Sequence, residues 1–172
     1  MSTVETRDLL RELEIVLGGL TGEMLDGAIG NINAHERLFF YGAGRSGLMI
    51  RALCMRLMQM GREAWAVGET STPAIGKGDL LCLASASGKT ESVLRYAQKA
   101  VSVGAELLVI TANTASPLTD VAPADILLKM PEKTHQLLGS LFEQALLATG
   151  DILTRRMGPD EEAMRARHAN LE

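Results

Sequence analysis

Leu38-Phe39-Phe40-Tyr41-Gly42-Ala43-Gly44-Arg45-Ser46-Gly47 runs from a wholly apolar stretch through a glycine turn into an amphipathic segment. Leu80-Leu81-Cys82-Leu83-Ala84-Ser85-Ala86-Ser87-Gly88-Lys89-Thr90 repeats that pattern, with hydroxyls replacing most of the glycines. A short run that is apolar at every position reads as a strand buried on both faces, which belongs to a parallel sheet covered by helices. Working outward from the strands at 38–41 and 80–84, further strands are expected at 64–67, 107–111 and 126–129. Helical spacing falls over 46–60, 89–103 and 137–156, with a short helical turn at 117–122. Ahead of them, Val4, Leu9, Leu10, Leu13 and Leu17, then Met24, Leu25, Ala28, Ile29 and Ile32, mark a leading helical hairpin. The fold class is therefore α/β: an open, doubly wound, five-stranded parallel sheet flanked by helices, with the flavodoxin-like order 2-1-3-4-5 as the expected arrangement. No linker, repeat or low-complexity segment interrupts the chain, so residues 1–172 are expected to form one domain. The charged tail Asp160–Glu172 would not fold alone and is expected to dock as a helix on its own or a neighbouring subunit.

Composition removes several classes of function. Of 172 residues, 47% are hydrophobic and 22% charged, which excludes a disordered chain. No stretch approaches the ~18 apolar residues of a membrane span. Lys and Arg number 17 against 21 Asp and Glu, a net charge of −4 without a basic run, so nucleic acid and anionic membrane are poor partners. Aromatic residues are only 3%, so the core must come from aliphatic side chains and Met. Cys54 and Cys82 each sit in an apolar stretch and read as small hydrophobes. Met1–Asp8 has no apolar run of the signal-peptide kind, and the expected location is the cytoplasm.

The two loops carry the chemistry. Gly42-Ala43-Gly44-Arg45-Ser46-Gly47 satisfies the dinucleotide pattern GxGxxG between a strand and a helix, and Glu69 stands where a ribose-binding acid would. A nicotinamide enzyme is thus one reading, a general anion site another, and a tight turn a third. The second loop decides between them. Ser85, Ser87, Gly88 and Thr90 with the free N–H groups of a helix start make a nest for a phosphate dianion. Gly88-Lys89-Thr90 does not complete a Walker A loop, because Leu83 stands where that motif needs glycine. In the order 2-1-3-4-5 the loops after the first and third strands flank the ligand crevice. A small sugar phosphate uses both, whereas a dinucleotide has no need of the second.

At this point the chain resembles the sugar isomerase (SIS) domain, and among SIS proteins the 6-phospho-3-hexuloisomerases. The stretches that carry the likeness are Tyr41–Gly47, Gly68-Glu69-Thr70-Ser71-Thr72-Pro73-Ala74-Ile75, Gly139-Ser140-Leu141-Phe142-Glu143-Gln144 and the ending Arg167-His168-Ala169-Asn170-Leu171-Glu172. The serine loop is common to SIS proteins; the Gly68 stretch and the ending are more diagnostic. Where those relatives usually have Ser-Gly-Ser-Gly-Glu-Thr, this chain has Ala86 and Lys89, which places a positive charge beside the nest. The resemblance implies interconversion of D-arabino-hex-3-ulose 6-phosphate and fructose 6-phosphate through a cis-enediolate, within the ribulose monophosphate route of formaldehyde fixation. It implies neither redox cofactor nor metal, and no Cys/His or His/Asp spacing suggests a metal site. Other SIS isomerases acting on arabinose 5-phosphate or sedoheptulose 7-phosphate, and a non-catalytic sugar-phosphate sensor, are the alternatives. A sensor would normally carry a basic helix-turn-helix segment, which this chain lacks.

One base must move a proton between C2 and C3. Glu143, early in the helix 137–156 among Leu141, Phe142, Leu146 and Leu147, is the candidate. A first-turn Glu that only complements the helix dipole is the plainer alternative. For ring opening, His35 reads as a solvent-exposed helix end and His135 as a loop residue that could line the pocket. His168 is favoured, because the resemblance implies a catalytic histidine near the C-terminus. Gly44, Arg45, Ser46, Ser85, Ser87, Gly88 and Thr90 are read as substrate and phosphate binders. Met49, Met55, Met58 and Met60 exceed what one open sheet can cover. The resemblance implies a homotetramer with shared sites, in which His168 of one chain approaches Glu143 of another.

Overall fold

In the computed structural model, which describes residues 3–170, five parallel strands form one sheet in the order β2-β1-β3-β4-β5. The strands are β1 (Arg37–Gly42), β2 (Glu63–Ala66), β3 (Leu80–Ser85), β4 (Glu106–Thr111) and β5 (Ile126–Leu127). The helices are α1 (Val4–Gly18), α2 (Gly22–Ala34), α3 (Gly44–Gln59), α4 (Glu91–Ser102), α5 (Pro117–Val121), α6 (Ser140–Arg156) and α7 (Glu161–Ala166). Leu171 and Glu172, which close the diagnostic ending, lie outside the described residues. None of the described helices is long and apolar enough to cross a membrane.

Alternation along the strands divides the core in two. Leu38, Phe40, Leu80, Cys82, Ala84, Leu108 and Ile110 face α1, α2, α3 and α6, whereas Phe39, Leu81, Leu83 and Val109 face α4 and α5. Both cysteines are buried free thiols, as expected. Burial pushes the Cys54 thiol up to about 12 and holds that of Cys82 well above its ordinary value.

The sequence boundaries shift by one to three residues for physical reasons. α3 starts at Gly44 rather than 46, because its first turn already lies in the glycine loop. α4 starts at Glu91 rather than 89, since Gly88 through Thr90 are occupied in the turn. β5 is two residues long instead of four. The residues lost are 128 and 129 at its C-terminal end, because β4 ends at Thr111 opposite Leu127; Leu128 N–H still reaches the Thr111 carbonyl (2.9 Å), and Pro131 follows soon after. His35 is not exposed: it is 7% accessible, caps α2, pairs its Nδ1 with the Asn31 carbonyl and faces Glu106 at 3.5 Å.

No helix connects β2 to β3. Residues 67–79 cross the end of β1 as an ordered loop held by Arg37, whose guanidinium donates to the Ala74 carbonyl (2.8 Å) and pairs with buried Asp79 (3.4 Å). It also stands over the rings of Phe39 and Trp65. The Gly68–Ile75 stretch therefore does the covering work of a helix, with Ile75 packed on the second cluster.

α3 and α6 run side by side in the same direction: Arg45 meets Glu143, Leu53 lies over Gly150, and Arg56 meets Asp151. α3 can seat on the end of β1 only because residue 47 is glycine, since a Cβ there would stand 2.4 Å from the Gly42 carbonyl oxygen. Gly47→Ala is expected to cost about 1–3 kcal/mol, the usual penalty of overpacking, in chemical denaturation; an unchanged midpoint would show that α3 can back away freely.

Candidate active site

The two loops start side by side, because β1 and β3 pair with Gly42 opposite Ala84. The helices that follow leave on opposite faces of the sheet, which opens a crevice at their N-termini. The third helix start arrives through an ion pair: Arg45 on α3 donates its Nε–H to Oε2 of Glu143 on α6. Glu143 is largely enclosed, with 12% of its side chain accessible, whereas Arg45 is 65% accessible. The other carboxylate oxygen, Oε1, makes no hydrogen bond among the described residues and faces Gly139.

Caps separate these three helix starts from the rest. α1, α2, α5 and α7 are each capped by a side chain, from Thr3, Thr21, Ser116 and Asp160. α3, α4 and α6 carry Ala43, Thr90 and Gly139 at that position, with no side-chain cap. An uncapped start leaves orphan N–H donors and forgoes about 1 kcal/mol. Three of them meeting at the C-terminal end of the sheet form a surface of donors suited to an anion.

Within the serine loop the hydroxyls have different tasks. Ser85 is buried, accepts from Gly88 N–H at 3.2 Å and lies 3.4 Å from the Thr90 hydroxyl, so it shapes the turn. Ser87 is exposed and accepts from Lys89 N–H at 3.2 Å, which leaves its own O–H to donate outward. The Ser46 hydroxyl makes no hydrogen bond among the described residues, and Gly44 lies exposed at the start of α3. Lys89 is exposed and makes no ion pair among the described residues, so its charge is available beside the nest. Glu69, the acid a dinucleotide ribose would need, is ion-paired with Arg51 at 2.8 Å.

The expected site residues thus gather, with one exception. His168 is exposed and lines a cavity of about 600 Å³ with Arg56, Gln59 and Arg155, at the opposite ends of α3 and α6. From Arg45 to Gln59 the helix rises about 21 Å, at 1.5 Å per residue. Within one chain, His168 does not reach Glu143. His135 sits in the loop that leads into α6, with its side chain exposed.

Two supports were not anticipated from sequence. Ser116 is buried and caps α5, and a Cβ on Gly88 would stand 2.1 Å from its hydroxyl, so the loop after β4 walls the serine turn. The Ser116-Pro117 helix-start pattern was a readable sign of it. Glu12 on α1 is buried and receives Thr134 Oγ–H (2.7 Å), His135 N–H (2.7 Å) and Gln136 Nε–H (3.2 Å). These bonds, that from the His135 amide first, hold its carboxyl below the ordinary range. The tether therefore contributes above the usual Glu value near ~4.3 and is lost as pH falls through the lowered one. The readable sign was an acid on the apolar stripe of a helix, between Leu9 and Val16.

Residues 31–150 match the SIS domain family model. The 3-hexulose-6-phosphate isomerase of Bacillus subtilis is 38% identical over all of both chains. That of Mycobacterium gastri is 40% identical over 79% of this chain and 74% of its own. This chain belongs to the 3-hexulose-6-phosphate isomerase family of SIS proteins. A crystal structure from Methanococcus jannaschii, for which a 3-hexulose-6-phosphate isomerase function has been inferred, superposes with a TM-score of 0.88 at 32% identity, covering 99% of this chain and all of the other. Family membership and site agree on an anionic sugar as the ligand class.

Gly88→Ala is expected to remove the thermal stabilisation that inorganic phosphate gives the parent, because both the left-handed backbone (φ 64°) and Ser116 oppose a Cβ. A phosphate-induced shift equal to the parent's would mean that the anion does not use this loop.

Proposed function

We infer that this protein is an isomerase that interconverts D-arabino-hex-3-ulose 6-phosphate and fructose 6-phosphate. The observation that carries the reading is the meeting of three uncapped helix starts with an enclosed carboxylate, in a chain of this family. The phosphate lies on the loops after β1 and β3, where Ser87, Thr90, Ser46 and the α4 N–H groups donate to it. Lys89 adds charge.

The reaction moves one carbon-bound proton and one hydroxyl proton and needs no net redox change. Glu143 Oε1 removes the proton from the carbon beside the ketone, and a cis-enediolate forms across C2 and C3. The same carboxyl returns the proton to the other carbon while the hydroxyl proton passes from one oxygen of the cis-enediolate to the other, which shifts the ketone by one position. Arg45 holds Oε2, so Oε1 is the oxygen left for the proton, and its guanidinium supplies positive charge beside the developing oxyanion. Fructose 6-phosphate is largely a closed furanose and must open. The 3-ulose lacks a free O6 to close on, so a ring-opening group matters chiefly in one direction.

His168 is the proposed ring-opening group, acting in a neighbour's site. Leu48, Met55 and Met58 form an exposed apolar stripe along α3, while Met49 and Met60 are packed against the core. Two such stripes set antiparallel would bring the Gln59 and His168 end of one subunit over the Arg45 and Glu143 end of the other. A closed homo-oligomer, a homotetramer in this reading, follows from that pairing.

With a formaldehyde-condensing partner enzyme supplying the 3-ulose, fructose 6-phosphate should form without added cofactor; none formed by two active proteins would end the reading. Ser87→Ala should raise KM about 5–150-fold, the equivalent of about 1–3 kcal/mol in a charge-assisted bond. Glu143→Gln and His168→Ala subunits, each inactive on fructose 6-phosphate, should regain part of that activity when mixed. A mixture that stays dead after verified subunit exchange would place each site within one chain.

A further inference from the structure

The reaction outlined above makes no use of Glu12, yet this carboxylate is among the least accessible acids of the protein, at 7%. Among the described residues no Lys or Arg pairs with it. Its bonds all run to one short segment 122 to 124 residues away: the Thr134 hydroxyl, the His135 amide and the Gln136 side-chain amide. That segment has little else to hold it. Its own turn contributes Gln136 N–H to the Thr134 hydroxyl and Ser140 N–H to the Leu137 carbonyl. Leu137 and Leu138 stand fully out in solvent, and Leu138 adopts a left-handed backbone (φ 51°) that a branched side chain disfavours. The next residues are Gly139, the uncapped start of α6, and Glu143, whose N–H donates to the Gly139 carbonyl.

We propose that Glu12 is a positioning residue for the isomerase reaction: it ties the 134–136 segment to α1 and so sets where α6 begins and where Glu143 and His135 stand. A carboxylate suits this task. It accepts from three donors in three directions, which no apolar residue in that stripe could do, and a buried charge persists only when its bonds are made. The contact couples the first helix of the chain to the site, although α1 supplies nothing to the phosphate loops. The proposal rests on Glu143 as the base.

Glu12→Leu, made in the full-length protein, should lower kcat about 10- to 100-fold, the scale on which small displacements of a reacting group act. Binding of inorganic phosphate should stay within about twofold, because the loops after β1 and β3 do not touch Glu12. Glu12→Gln should recover most of the activity. Its one oxygen can accept from His135 N–H, and the Gln136 amide, whose Oε1 is buried without a partner, can turn over to receive the new NH2. Should Glu12→Leu not fold, the pair Thr134→Val and Gln136→Ala removes two of the three bonds from the exposed side and should show the same fall in kcat. A normal kcat in a folded Glu12→Leu protein or in that pair, with only a lower melting temperature, would overturn the proposal and leave a purely structural contact. Glu143→Gln, assayed beside them, separates the two inferences. Lost turnover with phosphate binding retained upholds the base on which the proposal stands, and retained turnover removes that base and the proposal with it.

Discussion

Parallel pairing of β1 with β3 is the constraint from which the rest of the molecule follows. Setting Gly42 opposite Ala84 starts both loops at the same height, and the reversal of strand order there sends α3 and α4 to opposite faces. The crevice between their N-termini is a consequence of topology and not of any one side chain. Glycine at 47 and 88 then lets the helix and the loop after β4 close in to within contact of the turns.

Helix dipoles and orphan N–H groups are ordinarily answered by a capping side chain, as Thr3, Thr21, Ser116 and Asp160 do in four places. Leaving α3, α4 and α6 without such caps withholds stabilisation from the free protein that an anion bound there would supply. The same logic governs Glu143. An enclosed carboxylate beside a guanidinium is a satisfied pair in the free molecule, and one of its oxygens is still open for chemistry. The site is therefore preorganised on rigid elements: two strand ends, three helix starts and one ion pair between helices that run side by side.

Stability and placement are served together by residues far from the crevice. Arg37, seated over the rings of Phe39 and Trp65 on β1 and β2, gathers the crossing segment 67–79 by a carbonyl and a buried carboxylate, in place of a connecting helix. Glu12 gathers the segment ahead of α6 in a similar way. In both cases a charged side chain on a regular element organises backbone that has no ladder of its own, which is how an irregular segment satisfies its polar groups.

The sequence by itself determined the strands and the two loops, because short wholly apolar runs and glycine or serine turns are local signals with one good physical reading. It also singled out Glu143 and the two loops proposed to hold the phosphate, since a helix start or a nest is built from neighbours in the chain. What it could not carry was anything made by residues distant in sequence. His35 reads as an exposed helix end but is buried and faces Glu106, and β5 stops at Leu127 because β4 ends opposite it at Thr111. Arg45 meeting Glu143, Gly88 pressed on Ser116 and Glu12 bonded to the 134–136 segment join parts of the chain that only packing brings together. His168 was recognisable as a residue of interest, yet its separation from Glu143 is set by the length of two parallel helices. Tertiary structure alone decided these contacts, because each depends on distance in space and none leaves a periodic trace along the chain.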